Sequence, residues 1–164
     1  MEQYSYQWLK GDILAPKEWT PPAGLEDSPF ARRRLFFNHH PTHCNGHTTC
    51  PCCGYPTLEF RGAFDYCSIC HWEDDGQDDP YADQDNGGPN GGWTLQQARR
   101  NFSVTLSMFA PNDDFFPKER VLGEAAQHKK KRLCRLYDSL MTVVSEDEIR
   151  RIWSEIDRQW GKVP

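Results

Sequence analysis

Several things are scarce in this 164-residue sequence, and each scarcity narrows the reading. No stretch is long and apolar enough to cross a bilayer, so no membrane-spanning helix is expected. Met1–Lys10 is polar and aromatic, with no apolar core of a secretory signal, which points to a cytosolic protein. Basic residues are not in excess. The formal charge is −5 and the pI about 5.6, a poor match to the Lys- and Arg-driven affinity of nucleic-acid binders. There is no HExxH, no GxSxG and no phosphate-binding glycine loop, and no repeat at solenoid spacing. Hydrophobic residues make up only 37% and the mean hydropathy is −0.81, a lean core for this length that a metal staple would help to fold. Aromatics, at 13%, compensate in part.

Cysteine and histidine are abundant and local. Residues 39–72 hold six of the seven cysteines and five of the six histidines. In a reducing compartment such clustering points to metal ligation rather than disulfides. Cys50-Pro51-Cys52-Cys53-Gly54 places two thiols at i and i+3, with Pro51 fixing φ early in the turn and Gly54 permitting a left-handed exit. Cys67-Ser68-Ile69-Cys70 repeats the pair. The thirteen intervening residues suit one hairpin that brings the two knuckles together. Four thiolates saturate a tetrahedral ion, so Cys50, Cys53, Cys67 and Cys70 are expected to bind one structural Zn2+. His71 could replace Cys70 as a ligand, but the spacing favours Cys70. His39, His40, His43, Cys44 and His47 have ligand-like spacing for a second metal site. The competing reading is a polar loop of exposed or hydrogen-bonded histidines.

The remaining chain divides around this module. Residues 1–38 read as an irregular arm broken by Pro16, Pro21, Pro22 and Pro29. Its Trp8, Trp19, Phe30, Phe36 and Phe37 need burial against the rest of the protein. Residues 39–110 form the cysteine-rich domain. Within it Tyr55, Leu58, Phe60, Phe64 and Tyr66 suit two strands turning at Arg61-Gly62. Thr94 and Gln97 form a capping box that opens a helix ended by Pro111. Residues 111–164 read as a helical hairpin. One helix runs from about Lys118 to Val144, and a second follows the Ser145/Glu148 cap with Ile149, Ile152, Trp153, Ile156 and Trp160 as its stripe. The fold class is α+β: a small zinc ribbon, made of a β-hairpin with two Cys knuckles, plus a helix and a C-terminal antiparallel helix pair.

Between Glu73 and Asp85 lie seven carboxylates and no basic residue. Glu73, Asp74, Asp75, Asp78, Asp79, Asp83 and Asp85, with Trp72 and Tyr81 as aromatic anchors, are expected to form a partner-binding surface. It would steer toward a basic protein. Trp72 packed as core beside the knuckle is the competing reading.

The order Cys50-Pro51-Cys52-Cys53-Gly54-Tyr55, then Tyr66-Cys67 to Cys70, then Trp72-Glu73-Asp74-Asp75-Gly76 resembles the bacterial cysteine-rich CPCC domain. The later Gly87-Gly88, the cap at Thr94 and the Leu95, Ala98, Arg99, Asn101, Phe102 pattern look like its closing helix. The resemblance covers about residues 49–103. It implies a zinc-ribbon-like metal module and a small accessory protein of bacterial genomes, a setting in which some proteins are immunity partners of toxins. The expected function is therefore a non-catalytic, zinc-binding protein-interaction module, an immunity- or antitoxin-like inhibitor of a toxin. The alternatives are a zinc-ribbon nucleic-acid-binding or regulatory protein, and a metal-dependent hydrolase using the histidine cluster.

Overall fold

The structure is a computed structural model that describes residues 13–85, 87–113 and 123–160. Among the described residues are four α-helices and a two-stranded antiparallel sheet: α1 (Pro29–His39), β1 (Thr48–Thr49), β2 (Pro56–Leu58), α2 (Leu95–Thr105), α3 (Glu124–Leu140) and α4 (Glu146–Trp160). Trp8 lies outside the described residues.

Part of the expected irregular arm is helical. Ser28 caps α1, its hydroxyl accepting from the Ala31 amide at 3.1 Å, and Pro29 occupies the first helical turn. A proline there starts a helix rather than breaking it, because its missing N–H has no intrahelical partner to lose. Phe30, Ala31, Arg34, Phe37 and Asn38 are its buried face. Trp19 is buried against Phe30, edge to face at 5.7 Å.

The sheet is displaced from its expected place. Thr48 pairs with Leu58 and Thr49 with Pro56, so the hairpin encloses the first knuckle instead of joining the two. The residues assigned to the second strand do not form one. Tyr66 makes a single bridge to Glu73, and the chain from Glu59 to Tyr66 is an irregular turn. Asp65 explains it: its carboxylate accepts from the Glu59 and Phe60 amides at 2.9 and 2.8 Å, diverting that backbone from ladder pairing.

Helix α2 begins with the expected reciprocal Thr94/Gln97 capping box. It ends earlier than expected, at Thr105. Leu106 turns left-handed with φ 55° and its N–H donates to Phe102 O, so this cap, not Pro111, terminates the helix. Where one helix is expected from about Lys118 to Val144, α3 spans Glu124–Leu140, with Gly123 as its N-cap and Met141 as its C-cap, so it ends four residues early; residues 118–122 lie outside the described residues. Ser145 caps α4, its hydroxyl accepting from Glu148 N at 3.1 Å.

One hydrophobic cluster contains the four knuckle cysteines, Leu58, Trp72, Leu95 and Phe102 together with Tyr137, Leu140, Trp153 and Ile156 of the C-terminal helices. The buried stripe of α3 and α4 is thus continuous with the cysteine-rich core, across the boundary drawn at residue 110. Tyr55 Oη donates to Asp138 at 2.8 Å, and Trp153 Nε1 donates to His43 O at 2.9 Å.

Candidate metal centre

The two knuckles are built alike. In the first, Gly54 N donates to Cys50 O at 2.9 Å and Cys50 N to Tyr55 O at 2.9 Å. In the second, His71 N donates to Cys67 O at 2.8 Å and Cys67 N to Trp72 O at 2.8 Å. Each knuckle leaves through a left-handed residue, Gly54 at φ 82° and His71 at φ 71°. His71 is therefore the backbone counterpart of Gly54 and not a ligand. Its ring Nδ1 pairs with Tyr66 Oη instead. Gly54 is further constrained by packing, since a Cβ there would lie 2.9 Å from Phe30 O on α1.

These turns bring Cys50, Cys53, Cys67 and Cys70 together, with all four Sγ atoms within 4.8 Å of one another. None of the four is in a disulfide, and all have 0% exposure. Four sulfurs held about 2.3 Å from a tetrahedral ion sit about 3.8 Å apart. The observed Cys50–Cys70 and Cys53–Cys67 separations are 3.6 and 3.8 Å, so the cluster has the dimensions of a tetrathiolate site and can hold a metal ion. Further donors face the sulfurs: Thr57 Oγ1 to Cys67 Sγ at 3.0 Å and Cys52 N to Cys50 Sγ at 3.4 Å. Without a cation the cluster resists ionising. Burial pushes the Cys50 thiol up to about 11 and those of Cys53 and Cys70 well above the ordinary value. Burial also opposes ionisation of Cys67, but hydrogen bonds from the other three outweigh it and pull that thiol down. One thiolate shared among four thiols is what a cation would complete by displacing the remaining protons.

Structural partners hold the frame from three sides. Arg33 Nε of α1 donates to Cys53 O at 2.9 Å, and Arg99 Nε of α2 donates to Pro51 O at 2.9 Å. Met108 N, beyond α2, donates to Cys70 O at 2.7 Å. The two arginines lie far from the cysteines in sequence, and the sequence assigns neither of them this contact. Only the closeness of Arg99 to the Thr94 cap, which fixes its helical phase, could have hinted at the last arginine.

The histidine-rich lead-in forms no second metal site. Among the described residues, the four-cysteine group is the one cluster with metal-binding proximity. His43 Nε2 pairs with Val143 O at 3.0 Å, His47 stacks on Trp153, and His40 stacks on Phe36. Cys44 donates to Phe37 O at 3.3 Å, and burial pushes its thiol up to about 12. These residues dock the lead-in onto α1 and the C-terminal helices.

The acidic surface expected after the second knuckle is corrected by its surroundings. Trp72 and Asp74 are both 0% exposed, and Asp75 is also buried. Three arginines pair with three of the seven carboxylates, Asp74, Asp78 and Asp79. Arg34 donates to Asp78 Oδ1 at 2.7 Å, and Arg61 reaches Asp74 at 2.8 Å and Asp78 at 2.9 Å. Arg99 grips both oxygens of Asp79 at 3.0 and 2.8 Å, and Trp19 Nε1 donates to Asp79 at 2.9 Å. Burial alone would raise the Asp78 carboxyl, but Arg34 and Arg61 outweigh it and hold it well below the usual range. The carboxylates are the mortar between α1, α2 and the turn. Of the proposed contact residues, Tyr81, Asp83 and Asp85 are exposed and Glu73 is half-buried. Besides Tyr81, three aromatics of the preceding turn are exposed, each more than Tyr81: Phe60 at 63%, Phe64 at 48% and Tyr66 at 57%.

Comparison with curated proteins and with solved structures returns no match. Residues 48–108 match the family model described as Cysteine-rich CPCC, a span that opens at β1, contains both knuckles and closes just beyond α2 at Met108, the residue hydrogen-bonded to Cys70. The similarity to the cysteine-rich CPCC family is thus shown over residues 48–108.

Proposed function

We propose that this protein is a non-catalytic protein-binding module in which one zinc ion, held by Cys50, Cys53, Cys67 and Cys70, fixes a rigid aromatic turn for a partner. Zinc is the ion of choice for four buried thiolates in tetrahedral arrangement, and a saturated sulfur shell leaves no coordination site for a substrate. X-ray absorption on the purified protein should find four sulfur neighbours. A shell with nitrogen or oxygen neighbours would reject this assignment.

The single observation carrying the binding role is the Glu59–Tyr66 turn. Large aromatic rings exposed together are costly unless a surface meets them, and aromatics are the usual anchors of interfaces. The turn is held from behind: Gly62 N donates to Asp74 at 2.7 Å, Phe64 N to Asp74 O at 2.9 Å, and Arg61 spans Asp74 and Asp78. A preordered loop loses little entropy on binding. The finer form of the proposal is an immunity- or antitoxin-like inhibitor of a bacterial toxin, supported by the rigid frame and by the family resemblance. The contact is placed on the aromatic turn, with Tyr81, Asp83 and Asp85 at its acidic rim. Capture from the native host should retain a protein that is lost when Phe60, Phe64 and Tyr66 are changed together to Ala. Coexpression should then protect cells from that protein if it is a toxin. Equal retention by the triple variant would reject the turn as the contact.

A further inference from the structure

Among the described residues three cationic side chains are buried: Arg34, Arg99 and Lys130. Arg34 is paired with Asp78 and Arg99 with Asp79. Lys130, 6% exposed on the inward face of α3, has no such partner. Every ion pair among the described residues joins an arginine to a carboxylate. A buried ammonium without an anion is costly, so its place in the core requires an explanation.

Its position supplies one. Lys130 Nζ donates to Leu106 O at 3.0 Å, the carbonyl of the left-handed cap of α2. The next two residues hold the second knuckle, with Ser107 Oγ and Met108 N both donating to Cys70 O, at 3.4 and 2.7 Å. One and two turns further along the same face of α3, Cys134 and Tyr137 pack in the cluster that contains all four knuckle cysteines. The ammonium therefore lies in the interior, beside the segment that anchors Cys70. Burial pushes it down to about 8, and charge on Cys70 and Cys67, ahead of Cys134 and Cys53, works in the opposite direction. Four thiolates around a divalent ion leave a net charge of about −2. Such a charge inside a core needs a counter-ion. Arg99 is spent on Asp79, and Arg33 is half-buried with its guanidinium over the Tyr55 ring.

We propose that Lys130 is the counter-cation of the loaded metal centre: its ammonium, held by Leu106 O, offsets the negative charge that four thiolates leave on a divalent ion, and so ties α3 to the metal. The proposal rests on the four cysteines holding a metal ion and does not depend on the partner reading.

The test uses the full chain loaded with iron in place of zinc, because four thiolates bind both and iron changes its charge by one electron. Reduction takes the centre from about −1 to about −2, and a nearby cation favours the reduced form. Lys130→Met keeps the length of the side chain and removes its charge. It should favour the reduced form at least about tenfold less, a potential lower by about 59 mV. Lys130→Arg, which keeps the charge, should stay closer to the wild type, and a drop as large as that of Lys130→Met would overturn the proposal. A packing role would lower the melting temperature and leave the potential in place. An unchanged potential in iron-loaded Lys130→Met overturns the Lys130 assignment and leaves the metal site standing. A wild-type chain that takes up neither zinc nor iron at the four cysteines overturns both. The zinc-loaded wild type gives a second measurement that needs no variant. With Cys70, Cys67, Cys134 and Cys53 as the ionisable groups around it, the Lys130 Nζ should be a charged ammonium by NMR at pH 9. A neutral amine there overturns the proposal even where the variants fail to fold.

Discussion

The acidic segment from Glu73 to Asp85 and the aromatic turn from Glu59 to Tyr66 exchange the places their compositions assign them. The acidic segment carries seven carboxylates and no basic residue, yet Asp74 and Asp75 are buried and Asp78 and Asp79 are clasped by arginines. The turn carries Phe60, Phe64 and Tyr66, yet it presents all three to solvent. Charge balance and burial are properties of the folded neighbourhood, and Arg34 and Arg99 come from helices about 44 and 20 residues distant. Counting charges along a segment overstates its field when its counter-ions arrive from elsewhere.

Both regions hang on the metal frame, so its removal has the largest expected effect. Cys50→Ser or Cys67→Ser should abolish tetrathiolate metal binding, and if the ion is the proposed zinc the loss to folding is on the order of 10 kcal/mol. Because Tyr137, Trp153 and Ile156 share a core with the cysteines, chelation should also diminish the helical signal of α3 and α4. Far-UV circular dichroism during chelator titration checks this. A helical signal that survives intact would show that the C-terminal pair folds alone.

The two knuckles supply the next contrast. Gly54→Ala places a side chain at positive φ and against Phe30 O, so a loss of roughly 3 kcal/mol is expected in denaturant unfolding. His71→Gly occupies the same backbone position without that contact. It relieves left-handed strain but gives up the Tyr66 pair, and a change within about 1 kcal/mol is expected. Equal effects at the two sites would mean that the knuckles are not equivalent frames.

The mortar reading of the carboxylates is tested at Asp79 and Asp78. Asp79→Ala strands Arg99 and Trp19 and should cost roughly 3 kcal/mol, as when one partner of a buried ion pair is removed. Asp83→Asn and Asp85→Asn, both exposed, should stay within about 0.5 kcal/mol. The pH dependence has a definite sign. The folded Asp78 carboxyl lies below its unfolded value of about 4, so its contribution is full above that pH. It fades as the pH falls toward the folded value. Melting temperatures between pH 6 and pH 3 should therefore drop less in Asp78→Asn than in the wild type. An unchanged melting temperature in Asp79→Ala, with slowed partner association, would restore the loop as a steering surface.

The local parts of the fold were legible because they rest on neighbouring residues. The i, i+3 cysteine pairs, the Thr94/Gln97 box and the Ser145 cap each combine a few adjacent side chains with backbone geometry. The α1 start at Ser28-Pro29 was equally local. There proline is a first-turn residue, which starts a helix rather than breaking one. The rest depended on long-range pairing. Nothing in the order of residues 59–66 reveals that Asp65 folds back onto the Glu59 and Phe60 amides. Nor does the run Arg32 to Arg34 reveal that Arg33 meets a knuckle carbonyl while Arg34 meets Asp78.

The smallest expected effect on stability belongs to the turn, and it sharpens the comparison most. Phe60, Phe64 and Tyr66 make little core, so each change to Ala should move the unfolding free energy by about 0.5 kcal/mol or less. Tyr66 also pairs with His71, and its variant should lie at the upper end. If the turn is the contact, the same changes should act on dissociation, because anchors in desolvated pockets govern how long a complex lasts. Loss of one ring at the centre of an interface typically costs about 2 kcal/mol, roughly a thirtyfold faster release. Changes at Asp83 and Asp85 should instead slow association modestly and only at low salt, since exposed charges are screened beyond about 10 Å. Kinetics with the captured partner at two salt concentrations separates these patterns. Turn variants that change association but not release would move the contact to the acidic rim, and a turn that tolerates all three substitutions would leave its exposed rings unexplained.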